Sequence, residues 1–403
     1  MAKVSIESLD VSGKRVLVRV DFNVPLLTGP DESKSVSDDT RIRAALPTLD
    51  SIVSRGGSAV LLSHLGRPKG IADPELSLEP VAAHLSGLTR TNVSFCPESV
   101  GPQTVNAAHQ LQPGSILLLE NTRFQPGEEA NDAELASFWA SLSDFFVNDA
   151  FGSSHRAHAS TEGVARVSST AAMGLLIQKE IEYLSQLLPQ PEQDLKRPFV
   201  AIIGGAKVSD KMGMIKSLLS SVDYLLIGGA MAYTFLRAQS IETGDSLVEQ
   251  DRIDLAAELL QTAQDQIALP SDHVIASEFQ NDSPSRVVSQ DIPEGFLGLD
   301  IGPETIDAYQ NRIRSAGTVI WNGPMGVFEM PNFARGTVAM AEALTEATAS
   351  GALTIVGGGD SVAAITRAGL ESQVSHVSTG GGAMLEFLEG KTLPGIATLT
   401  DAV

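Results

Sequence analysis

Short apolar runs rich in Val, Ile and Leu alternate along the chain with stretches whose apolar residues recur every three to four positions. The runs have the length of strands and the periodic stretches that of helices. In the first half the predicted strands are 15–20, 59–63, 93–96, 116–120 and 145–148, with helices over 39–55, 78–88 and 132–142. In the second half the strands are 199–204, 224–228, 274–277, 297–301, 318–321 and 353–357, with helices over 212–221, 255–266, 303–315 and 334–349.

The strand runs are continuously apolar rather than alternating, which implies sheets covered on both faces. Strands separated by helices imply parallel pairing through right-handed crossovers. Eleven such strands exceed one core, so two α/β lobes with parallel sheets are expected. A helix over 173–188, with apolar residues at 173, 176, 177, 181, 184 and 188, is broken by Pro189, Pro191 and Pro198. It marks the seam: a first lobe over 1–172, a hinge helix over 173–188, and a second lobe over 189–389. Open sheets of this kind bind ligands beyond the carboxyl ends of their strands.

Composition narrows the function. The chain has 403 residues, 43% of them hydrophobic, and a net charge of −21. Residues 1–172 hold 14 Lys+Arg against 20 Asp+Glu, and the remainder 14 against 29. Such a field opposes nucleic acid and anionic membranes as partners. It leaves room for a phosphate ligand in a pocket with its own cations. Cys96 is the one cysteine, follows an apolar run, and reads as a small buried hydrophobe. The first ten residues lack the apolar core of a signal peptide, and no apolar run has the ~18 residues of a membrane span, so a cytoplasmic enzyme is expected.

Candidate chemistry collects at strand ends. In the first half these are Arg19-Val20-Asp21-Phe22-Asn23, Asp39-Thr40-Arg41, Ser63-His64-Leu65-Gly66-Arg67, Glu120-Asn121-Thr122-Arg123 and the stretch from Ala150 to Arg156. Arginine's planar fork suits phosphate and carboxylate, and several arginines at one sheet edge call for an anion between them. The alternative is that each pairs with a nearby carboxylate. For Arg41 that partner would be Asp38 or Asp39. His64 would then be a core histidine bonded to backbone, and His84 and His109 ordinary surface residues.

In the second half, the loop from Gly204 to Lys211 follows a strand and precedes a helix, so backbone N–H groups there could approach an anion. Lys207 and Lys211 would share a helix face if the helix has begun. Gly357-Gly358-Gly359-Asp360-Ser361 repeats the pattern with a carboxylate suited to a Mg²⁺–phosphate complex. Gly380-Gly381-Gly382 opens a further helix, and Gly228-Gly229 is taken as a packing turn. Gly298, Pro324, Val327 and Glu329 have the chemistry of a nucleoside slot. Any one glycine loop could be a plain tight turn. Neither a Walker motif nor GxGxxG is present.

Taken together, RVDFNVP from Arg19, SHLGRP from Ser63, LLLENTRF from Leu117, VNDAFGSSHRAHAS from Val147, GGAKVSDK from Gly204, WNGPMGVFE from Trp321, GGGDS from Gly357 and STGGGA from Ser378 resemble the phosphoglycerate kinases, in that family's order and nearly end to end. The resemblance implies two Rossmann-like, three-layer αβα lobes and Mg²⁺-dependent transfer between ATP and 3-phosphoglycerate, giving ADP and 1,3-bisphosphoglycerate. It implies that Asp21, Phe22, Asn23, Arg41, His64, Leu65, Gly66, Arg67, Arg123 and Arg156 hold the phosphoglycerate. Gly205, Lys207, Lys211, Gly298, Asn322, Pro324, Glu329 and Gly357 through Ser361 would hold the nucleotide, with Asp360 beside the metal. Arg41, Lys207, Gly358 and Gly381 would serve the transferring group. The family also implies a monomer whose C-terminal tail, about 390–403, returns to the first lobe. Two departures stand out: the stretch 26–38 is a long acidic loop, and Met384 stands where a small polar residue is common.

Two rival readings are a non-catalytic protein that kept the fold and an NAD-dependent dehydrogenase. The intact arginine set argues against the first and the missing GxGxxG against the second. An acceptor carboxylate is already ionised at neutral pH, so transfer to it needs no general base, in keeping with a site of Arg, Lys and backbone N–H.

Overall fold

The computed structural model describes residues 3–30, 32–188 and 195–402. The chain divides into two compact units, Met1–Glu182 with Thr392–Val403, and Tyr183–Lys391. No helix among the described residues is long and apolar enough to cross a membrane.

The first unit contains β1 (Arg15–Arg19), β2 (Leu26–Thr28), β3 (Lys34–Val36), β4 (Ser58–Leu62), β5 (Asn92–Cys96), β6 (Ser115–Leu119), β7 (Phe145–Asn148) and β8 (Ala171–Met173). Six of them form a parallel sheet in the order β5-β6-β4-β1-β7-β8. Its two faces carry separate cores. Val16, Val18 and Leu61 pack with Ile42, Leu49 and Ile52 of the helix Thr40–Ser54. Leu17, Val60 and Phe146 pack on the other side with Trp139. Burial on alternate sides of one strand is what the continuous apolar runs required, and it makes three layers. Arg19 is in register with Leu62 on β4 and Asn148 on β7, so the residues after all three strands leave from one edge.

The C-terminal tail is part of this unit. Val4 and Thr400 pair through backbone at 2.9 Å, Thr400 N–H donates to Ala171 O at 2.8 Å, and Asn148 Nδ2 donates to Gly395 O at 2.7 Å. Leu399 enters the core beside Trp139 and Phe146.

The second unit contains β9 (Phe199–Ile203), β10 (Tyr224–Ile227), β11 (Ile267–Ala268), β12 (Asp272–Ala276), β13 (Ser285–Ser289), β14 (Leu297–Ile301), β15 (Thr318–Asn322), β16 (Leu353–Val356) and β17 (His376–Val377). Its parallel sheet runs β11-β10-β9-β15-β16-β17. Asn322 is level with Ile203, and Trp321 with Val356, so the three glycine loops after β9, β15 and β16 share an edge.

Three expectations need correction. The strands read at 274–277 and 297–301 do not join the parallel sheet. They form an antiparallel sheet, β13-β12-β14, with a strand the pattern did not reveal. The chain between β12 and β14 has no helical period to serve as a crossover, so it returns as a hairpin. The acidic loop 26–38 is not wholly irregular, since β2 and β3 pair antiparallel within it. The seam helix spans Leu175–Ser185, shorter than 173–188, and the breaks read at Pro189 and Pro191 lie outside the described residues.

Leu399 is 3% exposed. Leu399→Ala is expected to destabilise the first unit by about 2–4 kcal/mol, read as a lower urea midpoint; an unchanged midpoint would place the tail outside the core.

Candidate active site

The first unit ends its central strand on a buried cation. Arg19, 1% exposed, donates from Nε to Ser160 Oγ at 2.8 Å and also bonds Val20 O. Ser160 in turn donates through backbone and hydroxyl to the buried carboxylate of Glu128, at 2.9 and 2.5 Å. The other guanidinium nitrogen lies 3.0 Å from His64 Nδ1. Arginine can only donate, so Nδ1 accepts and the imidazole proton sits on Nε2. Burial, then the charges of Arg19, Arg123 and Arg41 against the opposing pull of Asp21, holds His64 well below the usual histidine range. It is therefore a neutral donor.

Backbone turns are fixed by polar side chains around it. Phe22 N–H donates to Ser63 Oγ at 2.9 Å, and Gly66 N–H to Asn23 Oδ1 at 2.9 Å. Asn121 clasps Leu65 through both its N–H and its C=O, at 3.2 and 2.7 Å, and caps Arg123 N–H at 3.0 Å. Arg123 donates to Gly66 O at 2.7 Å and lies 3.2 Å from Glu129. Arg41 meets Asp21 at 3.0 Å, not Asp38 or Asp39 as the bland alternative supposed. Asp39 is taken by Arg43 at 2.8 Å and by His84 at 3.0 Å, so His84 is not a plain surface residue either.

Cations outnumber what these carboxylates can neutralise. Burial raises the Asp21 carboxyl, but Arg41, Arg19 and the Asn23 N–H together hold it below its ordinary value. Burial, then Arg123, Arg19, Arg156 and His155, lowers His158 to about 4. Among the described residues neither Arg67 nor Arg156 meets a carboxylate; Arg67 is exposed, and Arg156 bonds the ring of His155 at 3.1 Å. The sequence reading placed Arg19 and Asn121 among the candidate chemistry at strand ends without giving them a ligand role, and it did not single out Glu128 or Ser160. An arginine inside the apolar run Val16–Val20 was the available signal for Arg19.

The second unit encloses a cavity of about 460 Å³ between its glycine turns. Of the expected nucleotide residues, Gly205, Gly298, Pro324, Glu329 and Asp360 line it, as does Val327. Gly229, read from the sequence as a tight turn, lines it too. It has φ +67°, and a side chain there would strike the backbone of Gly205 and Pro324. Gly298 lacks a side chain because the hydroxyl of Tyr233 fills that space. Leu247 and Phe279, 54% and 61% exposed, give the wall two exposed apolar faces.

The remaining residues sit beside the cavity. Lys211 bonds Asn322 Oδ1, leaving the buried Nδ2 of Asn322 with no partner among the described residues. Burial lowers Lys211, with Asp360 and Asp210 opposing. The helix starts only at Met212, so Lys207 and Lys211 lie in the turn before it and do not share a helix face. Gly358 and Gly381, at φ +88° and +45°, precede the helices Gly359–Arg367 and Gly382–Leu388. Ser361 accepts from Gly323 N–H, and Met384 packs where Gly357 would carry a side chain.

The sequence model of one family, phosphoglycerate kinase, matches residues 6–391. The chain belongs to the phosphoglycerate kinase family. It is 54% identical over 402 residues to the phosphoglycerate kinase of Salinibacter ruber and 54% identical over 405 to that of Moorella thermoacetica, each pair covering 100% of both chains. The solved phosphoglycerate kinase of Coxiella burnetii is 40% identical, with a TM-score of 0.85 and 98% of each chain covered. That of Pyrococcus horikoshii is 30% identical with the same score and coverage. Its activity is the family's reversible phosphoryl transfer between ATP and 3-phosphoglycerate, with ADP and 1,3-bisphosphoglycerate as products. The fold expected from the resemblance, two parallel-sheet α/β lobes, is the fold observed.

The state of His64 has a pH signature. Its native affinity for a proton is below that of the unfolded chain, near 6.5. As pH falls below about 6.5 the unfolded chain binds a proton that the native protein does not, so the His64 contribution to stability is lost. Asp149 and Asp300, raised by burial to about 7, act in the opposite sense. Comparison with His64→Gln isolates the effect: the variant is expected to lose less of its urea midpoint between pH 7 and 5. An equal loss would mean that His64 is charged in the native state.

Proposed function

We propose that the basic sheet edge of the first unit takes 3-phosphoglycerate and that the cavity of the second takes the nucleotide. The observation that carries the assignment is the convergence of Arg19, Arg41, Arg123 and Arg156 on His64 and His158, whose neutral rings burial and those charges favour, with Arg156 meeting no carboxylate among the described residues. Asp21, Phe22, Asn23, Arg41, His64, Leu65, Gly66, Arg67, Arg123 and Arg156 would contact the phosphoglycerate. Gly205, Gly298, Pro324 and Glu329 would receive base and ribose, with Lys207, Lys211, Asn322 and Gly357–Ser361 toward the phosphates. The unpartnered Nδ2 of Asn322 is a donor suited to a phosphate oxygen.

Mg²⁺ fits this donor set as a companion of the nucleotide. Among the described residues no cluster of three or more His, Cys, Asp or Glu could cage a metal, while Asp360 offers one carboxylate at the cavity wall. That is the pattern of an ion carried largely by phosphate oxygens. Bound there, it would neutralise phosphate charge. Arg41, half-exposed and steadied by Asp21, and Lys207 would stabilise the charge of the transferring group, with backbone N–H groups near Gly358 and Gly381. The acceptor carboxylate attacks as an anion, so this chain's residues bind, orient and neutralise without taking a proton. A monomer is what the family resemblance implies, and the family's glycolytic substrates support a cytoplasmic setting.

Arg123→Ala is expected to weaken 3-phosphoglycerate binding and spare ADP, and Glu329→Ala the reverse, each by about tenfold in calorimetric Kd. The opposite pattern would exchange the assignments. Arg41→Ala is expected to lower kcat by ~100-fold with a smaller rise in KM, and an unchanged kcat would reject its role in the transition state.

A further inference from the structure

Behind the wall of the second unit's cavity lies a carboxylate that touches none of its space. Asp300, on β14, is 2% exposed and makes no ion pair with Lys or Arg among the described residues. Its Oδ1 accepts from Ile301 N–H at 2.9 Å and its Oδ2 from Gly336 N–H at 2.7 Å. Gly336 lies in the first turn of the helix Arg335–Ala349. A carbon added at Gly326 would overlap the Asp300 carboxylate, and one added at Gly336 would overlap both that carboxylate and the Ile301 side chain.

Gly326 is itself part of the cavity wall, with Pro324, Met325 and Val327 on one side and Leu297, Gly298 and Leu299 on the other. The two strips of wall meet where Val327 N–H donates to Leu299 O at 2.8 Å. Thr337, next to Gly336, receives Met325 N–H at 3.0 Å and Gly326 N–H at 3.3 Å. The start of this helix therefore grips the wall loop, and Asp300 joins the helix start to the strand that forms the facing strip.

We propose that Asp300 is a positioning residue for the nucleotide: its buried carboxylate, bonded to Gly336 and seated against Gly326, sets the distance between the two strips of the cavity wall. The proposal rests on the reading that this cavity takes the nucleotide. An amide cannot replace the acid, because both oxygens accept backbone N–H groups. A carboxamide in that place would turn its NH₂ toward one of those donors whichever way it faced.

The test is steady-state kinetics of the full chain carrying Asp300→Asn, beside Glu329→Ala, whose side chain lines the cavity directly. Asp300→Asn is expected to raise KM for ATP about tenfold while KM for 3-phosphoglycerate stays within about twofold. If Glu329→Ala raises KM for ATP and Asp300→Asn does not, the positioning role is wrong. If neither raises it, the cavity assignment itself fails and takes the proposal with it. A rise in both KM values in proportion to a fall in unfolding midpoint would also overturn it, leaving a purely structural role. Should Asp300→Asn not fold, Gly326→Ala, whose methyl enters the space of the carboxylate, must give the same split in KM, and an unchanged KM for ATP would refute the idea.

Discussion

The buried guanidinium of Arg19 governs the first unit's chemistry. A charge at the end of the central strand, with almost no water, stays only if every donor is met and an anion lies near. Ser160 relays it to Glu128, which pins the turn that carries His155, Arg156 and His158. Its remaining nitrogen fixes the tautomer of His64. The loops after β1, β4 and β7 are thereby coupled through one side chain, and the other arginines are placed by them.

Much of the fold was legible in the sequence because its physics is local. Continuous Val/Ile/Leu runs with helical patterns between them specify buried parallel strands, and most segments so read lie in the two parallel sheets. The reading failed where the period was absent. β13, Ser285–Ser289, is short and mostly exposed, and its sequence carries no apolar signal strong enough to separate it from a loop. Without it, β12 and β14 looked like two more parallel strands. The same holds for β2 and β3, whose three residues each show no alternation.

At the candidate site the sequence supplied residue types but not pairings. Arg41 has Asp38 and Asp39 as chain neighbours and yet bonds Asp21, because the helix Thr40–Ser54 turns the two earlier carboxylates to the Thr40 cap and to Arg43 and His84. The glycines show the limit more sharply. The reason Gly298 must be glycine is Tyr233, for Gly357 it is Met384, and for Gly326 it is Asp300. Each occupant is distant in sequence, so a string of glycines announces a close approach without saying what approaches.

The two imidazoles of the basic edge tie electrostatics to the proposed chemistry. A general base for hydroxyl activation would need a proton affinity near neutrality. Here burial and surrounding arginines hold His64 far lower and His158 at about 4. Neither is tuned to accept a proton at pH 7, and an ionised carboxylate asks none of them to. Burial does most to strip those protons, and the arginine field that adds to it is a field that favours a phosphate dianion. By linkage, an anion bound among Arg123, Arg156 and Arg19 must raise the proton affinity of both rings, and protonation must tighten the anion to the same degree. A neutral His64 with its proton on Nε2 can therefore donate to an anionic oxygen before any titration occurs. On the proposed assignment, this basic edge works by preset charge and hydrogen-bond direction, with proton transfer left out of the reaction.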